Sequence, residues 1–211
     1  MDILEALSSH YEADLPDGED DLLSVLVRSI LSQATNTKNR NMAFSSLLDT
    51  FNGDWNALRL APTIDIENAI KVGGLAEQKS KRIQNILVAI FETFGECSLE
   101  QIKSNTPSKN FAYLCSFEGV GPQSAALSLM LGAGADICPV NTDVLRVLKR
   151  VDLLKKESGK AAHKIVNTRF PEGRLKETHY ALISHGRDRC LSRSPRCGGC
   201  PIKTFCSFEL S

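Results

Sequence analysis

Four of the chain's seven cysteines fall within its last twenty-two residues: Cys190, Cys197, Cys200 and Cys206, spaced C-x6-C-x2-C-x5-C. The seventeen residues they span include two glycines and two prolines and hold too few apolar side chains to bury a core. A cross-link must therefore order the segment. Disulfides suit exported proteins. Here the first residues, MDILEALSSHYEADLPDGEDD, are acidic where a secretory signal is basic, and they lack an apolar stretch. A metal is the better expectation. Zinc accepts four thiolates tetrahedrally, and so does a [4Fe–4S] cube. Structural zinc sites favour two short C-x2-4-C pairs and this run has one, so the spacing leans mildly away from zinc. Cys97, Cys115 and Cys138 are scattered and read as small buried hydrophobes.

The rest of the chain carries a helical period. Leu22, Leu23, Val25, Leu26, Ile30 and Leu31 make one apolar face, and Ile83, Ile86, Leu87, Ile90 and Phe94 repeat at three and four residues. Val140, Val144, Leu145, Leu148 and Val151 make another, and strand-like alternation is absent. The expected fold is all-α, about ten short helices punctuated by Asn52-Gly53, Gly73-Gly74, Gly119-Val120-Gly121-Pro122 and Pro171-Glu172-Gly173. No run of eighteen apolar residues occurs, so no membrane span is expected. Basic and acidic residues balance at twenty-five each. Any nucleic-acid contact must then rest on local geometry rather than on bulk charge.

One internal segment offers such geometry. At Leu114-Cys115-Ser116-Phe117-Glu118-Gly119-Val120-Gly121-Pro122-Gln123-Ser124-Ala125 one helix ends, a Gly-x-Gly turn follows, and a new helix opens on proline. Glycines admit close backbone approach, and free amides at the new helix start favour an anion such as a DNA phosphate.

With these motifs in chain order, the sequence resembles the endonuclease III branch of the helix-hairpin-helix DNA glycosylases. The resemblance is carried by Phe117-Glu118-Gly119-Val120-Gly121 with Ser124-Ala125, by Pro139-Val140-Asn141-Thr142-Asp143-Val144-Leu145-Arg146-Val147, and by His185-Gly186-Arg187 leading into the cysteines. Ile30-Leu31-Ser32-Gln33-Ala34-Thr35 and Gly73-Gly74-Leu75 with Lys79 look like the family's lesion-side loops. The cysteine intervals all match the family's iron–sulfur loop. The resemblance implies a helical barrel over residues 20–134 and a second lobe of residues 1–19 with 135–211 that holds a [4Fe–4S] cluster on the four cysteines. It also implies a monomer that works in the cytoplasm, on the nucleoid in a prokaryote. The partner would be double-stranded DNA carrying a damaged base or abasic site, bound across the cleft with one nucleotide flipped out.

The family's two reactive groups are missing. Gln123 stands where bifunctional members have the lysine that attacks C1′, and an amide cannot form a stable imine. Asn141 stands at the position of the family's aspartate, whose charge stabilises a developing oxocarbenium ion. Asp143, two residues on, is either the displaced catalytic carboxylate or a first-turn helix residue behind an Asn141 N-cap. Ungapped alignment puts Ala34 where the family has the glutamine that fills the flipped nucleotide's space, with Gln33 one place early. Candidate DNA contacts are Gly119, Val120, Gly121, Ser124, Gln33, Leu75, Lys79, Arg187, Arg193 and Arg196, the last three within a basic run beside the cysteines. Three functions follow: a monofunctional glycosylase with altered chemistry, a lesion-binding protein without catalysis, or a glycosylase inactivated in the laboratory. The first is preferred, because a lesion-binding cleft with no chemistry needs another partner to be useful.

Overall fold

The computed structural model describes residues 2–11 and 21–208. Among them the secondary structure is helical throughout: α1 Ile3–Ser8, α2 Leu22–Leu31, α3 Thr37–Thr50, α4 Trp55–Leu60, α5 Thr63–Ile70, α6 Ala76–Phe94, α7 Pro107–Leu114, α8 Pro122–Gly132, α9 Thr142–Arg150, α10 Gly159–Arg169 and α11 Leu175–Asp188. Short 3₁₀ turns occupy Lys71–Gly73, Glu100–Ser104 and Lys203–Phe205. The chain divides into two compact units, one contiguous from Gly18 to Gly134, the other made of Met1–Asp17 with Ala135–Ser211.

Local chemistry sets the helix starts. Asp21, Asn36 and Asn141 each accept a hydrogen bond from the amide three residues on, at 2.9–3.0 Å. Asp54 and Thr106 cap α4 and α7 in the same way. Such caps stabilise a helix by about 1 kcal/mol. Pro107 and Pro122 occupy first-turn positions, where a missing amide hydrogen costs nothing.

In the contiguous unit α2 is apolar on nearly every side, with Leu22, Leu23, Leu26, Val27, Ile30 and Leu31 all at most 2% exposed. It can be so only because other helices surround it. The small residues of α8 let one of them come close. A Cβ added to Gly132 would lie 2.6 Å from the Leu22 Cα, so only glycine permits this approach.

The second unit is built on α9 and α11. Val144, Val147, Leu148 and Val151 bury one face of α9 with Leu4 and Leu7 of α1 and Ala181 and Leu182 of α11 in one apolar core. Burying each of these larger side chains stabilises the unit by about 2 kcal/mol. The opposite face carries Arg146, Lys149 and Arg150. Gly186 lets α11 press against α9: a Cβ there would meet the Asp143 Cβ at 3.0 Å. Cys138 is fully buried in this core, whereas Cys97 and Cys115 are only half-buried.

Candidate nucleic-acid interface and metal centre

The turn between α7 and α8 is tight. Phe117 accepts from the Val120 amide at 3.1 Å, and Gly119 sits at φ +79°, a conformation that favours glycine. Helix α8 then starts at Gly121 with no side-chain cap, which leaves its first-turn amides available to an anion. Gly121 and Gln123 are exposed and Ser124 is half-buried in that turn. Val120 departs from the expectation for it as a DNA contact. Its side chain is 5% exposed and its amide is used inside the turn, so it shapes the hairpin from within.

Gln33 is also turned inward. Its Nε2 donates to the Gly119 carbonyl at 2.9 Å, and its Oε1 accepts from Arg82 Nη1 at 3.1 Å. Both ends of the amide are thus spent inside the protein, against its expected role on DNA. Arg82 lies over the same glycine, and a Cβ on Gly119 would meet Arg82 Cδ at 2.7 Å. One guanidinium therefore backs both the hairpin and the Gln33 turn. Ala34, next along, is exposed at φ +52°.

Lys79 is the clearest correction. Expected to reach a phosphate, it is instead 0% exposed. Its ammonium donates to Leu31 O at 2.9 Å, Thr35 Oγ1 at 2.7 Å and Gly73 O at 2.9 Å. Burial lowers its pKa. The Thr35 hydroxyl also bonds Gly73 O. Lys79 is thus an internal strut between the turn after α2 and the turn before α6. Its neighbour in that second turn is the exposed one: Leu75 is 56% exposed and held at φ +51°, unusual for a residue with a side chain.

In the other unit Asn141 caps α9, its Oδ1 accepting from the Val144 amide at 2.9 Å. The Asp143 carboxylate is held at both oxygens, Oδ1 by Arg146 Nη2 at 2.9 Å and Oδ2 by Arg187 Nε at 3.4 Å. Arg146 continues to the carbonyls of Gly186 and Cys190. Of the basic run, Arg187, Arg193 and Arg196 are exposed, and Arg196 lies 3.7 Å from Asp188. His179 is buried with Nδ1 on the Pro139 carbonyl at 2.8 Å, and burial pushes its pKa down to about 4.

Cys190, Cys197, Cys200 and Cys206 are unbridged and line one cavity, walled also by Val147, Val151 and Ile202. Burial pushes the Cys200 thiol up; a backbone hydrogen bond at Ile202 opposes this, and the other three thiols add to it. Among the described residues no three Cys, His, Asp or Glu side chains converge as ligands of a single ion. The four thiols line one cavity, and four thiolate donors are the number that a [4Fe–4S] group or a single tetrahedral zinc would take. The donor set fits such a group. Two basic residues attend it: Arg150 Nη1 donates to Cys190 Sγ at 3.1 Å, and His185 Nε2 lies 3.8 Å from Cys200 Sγ. His185 is 1% exposed, with Nδ1 3.2 Å from the Tyr11 hydroxyl.

Arg150 and Tyr11 did not emerge from the sequence. Arg82, which with Lys79 and Lys81 reads there as a basic helix start able to touch DNA, instead backs Gln33 and Gly119.

No helix among the described residues is long and apolar enough to cross a membrane. The chain is similar to endonuclease III of Sulfolobus acidocaldarius, 29% identical over 192 residues that make up 90% of this chain and 83% of the relative. It is also similar to endonuclease III of Rickettsia felis, 30% identical over 185 residues, 88% of this chain and 82% of that one. A solved non-covalent endonuclease III–DNA complex shares the fold at a TM-score of 0.77 and 22% identity, covering 97% of this chain and 92% of that chain. The family model described as HhH-GPD superfamily base excision DNA repair protein matches residues 27–172, and the chain belongs to that superfamily.

Proposed function

We propose that this protein is a base-excision DNA glycosylase that releases a damaged base from duplex DNA without the Schiff-base route to strand cleavage. The observation that carries the DNA reading is the uncapped start of α8 behind a glycine hairpin, an arrangement of amides that accepts a phosphate. Exposed Leu75 and the exposed arginines Arg187, Arg193 and Arg196 add apolar and cationic surface of the kind duplex DNA engages. Gln123, exposed at the position where bifunctional relatives present an amine, offers no nucleophile for C1′. Asp143 is the acid within the α9 motif and supplies the negative charge that Asn141 lacks. Its two guanidinium partners fix the carboxylate in place while offsetting part of that charge. A [4Fe–4S] cluster on Cys190, Cys197, Cys200 and Cys206 would cross-link the C-terminal loop and hold its arginines in register.

The double pairing of Asp143 also favours a second reading, a protein that binds lesions without chemistry. One experiment separates the two. Duplexes bearing oxidised, deaminated, alkylated or abasic sites are incubated with the protein, and base release is scored apart from strand cleavage. The glycosylase reading expects release of at least one base with intact sugar–phosphate strands and no adduct on borohydride treatment. Selective binding with no release from any duplex supports the second reading. A borohydride-trapped adduct overturns the exclusion of imine chemistry.

A further inference from the structure

The last helix residue of α9 reaches into the cysteine loop from three directions at once. The Arg150 guanidinium donates to Cys190 Sγ at 3.1 Å, to Leu191 O at 2.8 Å and to Ser192 O at 3.4 Å. Its Cζ lies 4.0 Å from the centroid of the Phe208 ring. Its carbonyl accepts from the Ser207 amide at 3.0 Å and from the Ser207 hydroxyl. One residue therefore ties down the chain at the first cysteine and again just beyond the last, closing both ends of the loop onto α9.

The carbonyls of Leu191 and Ser192 and the Phe208 ring hold the guanidinium in place, and its third contact, the N–H aimed at Cys190 Sγ, gains most when that sulfur carries negative charge. A fork of donors that reaches one sulfur and two carbonyls together is a shape lysine cannot copy. A thiolate that accepts a charged N–H is stabilised most when the group it ligates is in its more reduced, more negative state.

We propose that Arg150 is a positioning residue for the metal cluster: it donates to the Cys190 ligand sulfur, raises the cluster's reduction potential and slows loss of iron by closing the loop. This rests on the cluster reading above. The test uses the full-length protein as purified with its iron, and compares wild type with Arg150→Met and Arg150→Lys. Two quantities are read: the rate of iron release to a chelator, followed by bleaching, and the midpoint potential by film voltammetry. Arg150→Met should release iron about tenfold faster, in line with the loss of an outer-shell partner, and its potential should move to more negative values. Arg150→Lys should fall between, because it keeps a charge but not the fork. A purely structural role would change the release rate and leave the potential of intact clusters unmoved, which overturns the donor assignment. Wild-type values for both quantities in whichever variants fold overturn the proposal altogether. If Arg150→Met fails to fold, Arg150→Lys decides by the same two readings. Wild-type protein free of iron would overturn the cluster reading and this proposal with it, whereas wild type with iron and unshifted variants would overturn this proposal alone.

Discussion

Replacing Lys79 by Met removes the most unusual charge in the molecule while keeping its stem's volume and apolar contacts. The ammonium makes three bonds of 2.7–2.9 Å, all to neutral oxygens. The three bonds offset the desolvation of a fully buried ammonium, on the order of several kcal/mol, and bonds to a charged group still contribute roughly 1.5–3 kcal/mol net of lost hydration. In the variant the Thr35 hydroxyl still serves Gly73 O, but the Leu31 carbonyl at the end of α2 loses its Lys79 donor. The net expectation is a loss of about 2–4 kcal/mol, a large share of an ordinary domain's 5–15 kcal/mol. Urea unfolding should show a lower midpoint at unchanged slope. Amide exchange should quicken in residues 31–35 and 71–75, and stay as it was in α9 and α11. Lys79→Met as stable as wild type, or more so, would refute the reasoning: desolvation would then outweigh the three bonds, and the lysine would be there for something other than the fold.

Gly119→Ala should cost about 1–2 kcal/mol from the left-handed backbone. It should also push Arg82 off the hairpin and weaken duplex binding, read by fluorescence anisotropy. Purified without oxygen, the protein should be yellow-brown with about four irons per chain; Cys197→Ser should lose iron and DNA affinity together, and stoichiometric zinc without iron would contradict the cluster. Asp143→Asn should cut base release roughly a hundredfold if the carboxylate acts electrostatically. It should leave turnover untouched if Asp143 only joins Arg146 and Arg187 to the start of α9. Asn141→Asp with Gln123→Lys should create or raise combined base release and strand cleavage, scored on the same labelled duplexes.

Much of this was legible before any coordinates. The three-and-four spacing of Ile83, Ile86, Leu87 and Ile90 marks the buried face of α6, because burial of a helix stripe has one geometric solution. The reading of Asn141 as a possible cap was available from residue type alone. Lys79 was not legible. A lysine beside Lys81 and Arg82 reads as part of a cationic surface, and only the convergence of Leu31, Thr35 and Gly73 turns it inside. Gln33 fails for a related reason. A glutamine in a loop can face either way, and its choice is set by Arg82 and Gly119, 49 and 86 residues away. Asp143 was placed correctly at a helix start, but Arg187 lies 44 residues on, beyond any local pattern. Apart from Val120, which its own turn buries, what sequence reading missed is a polar side chain whose partner comes from another element.

The division of the chain carries a consequence for biosynthesis. The unit from Gly18 to Gly134 is uninterrupted, so it can acquire its complete set of contacts while later residues are still being translated. Helix α1 has no such opportunity. Its Ser8 hydroxyl bonds Glu177, 169 positions downstream, and Tyr11 waits for His185 and Asp188. For most of synthesis the apolar side of α1, Leu4 and Leu7, must do without its α11 partners. Helix α1 therefore docks only once α11 has been made, in the same interval in which the cysteine loop that follows α11 can close.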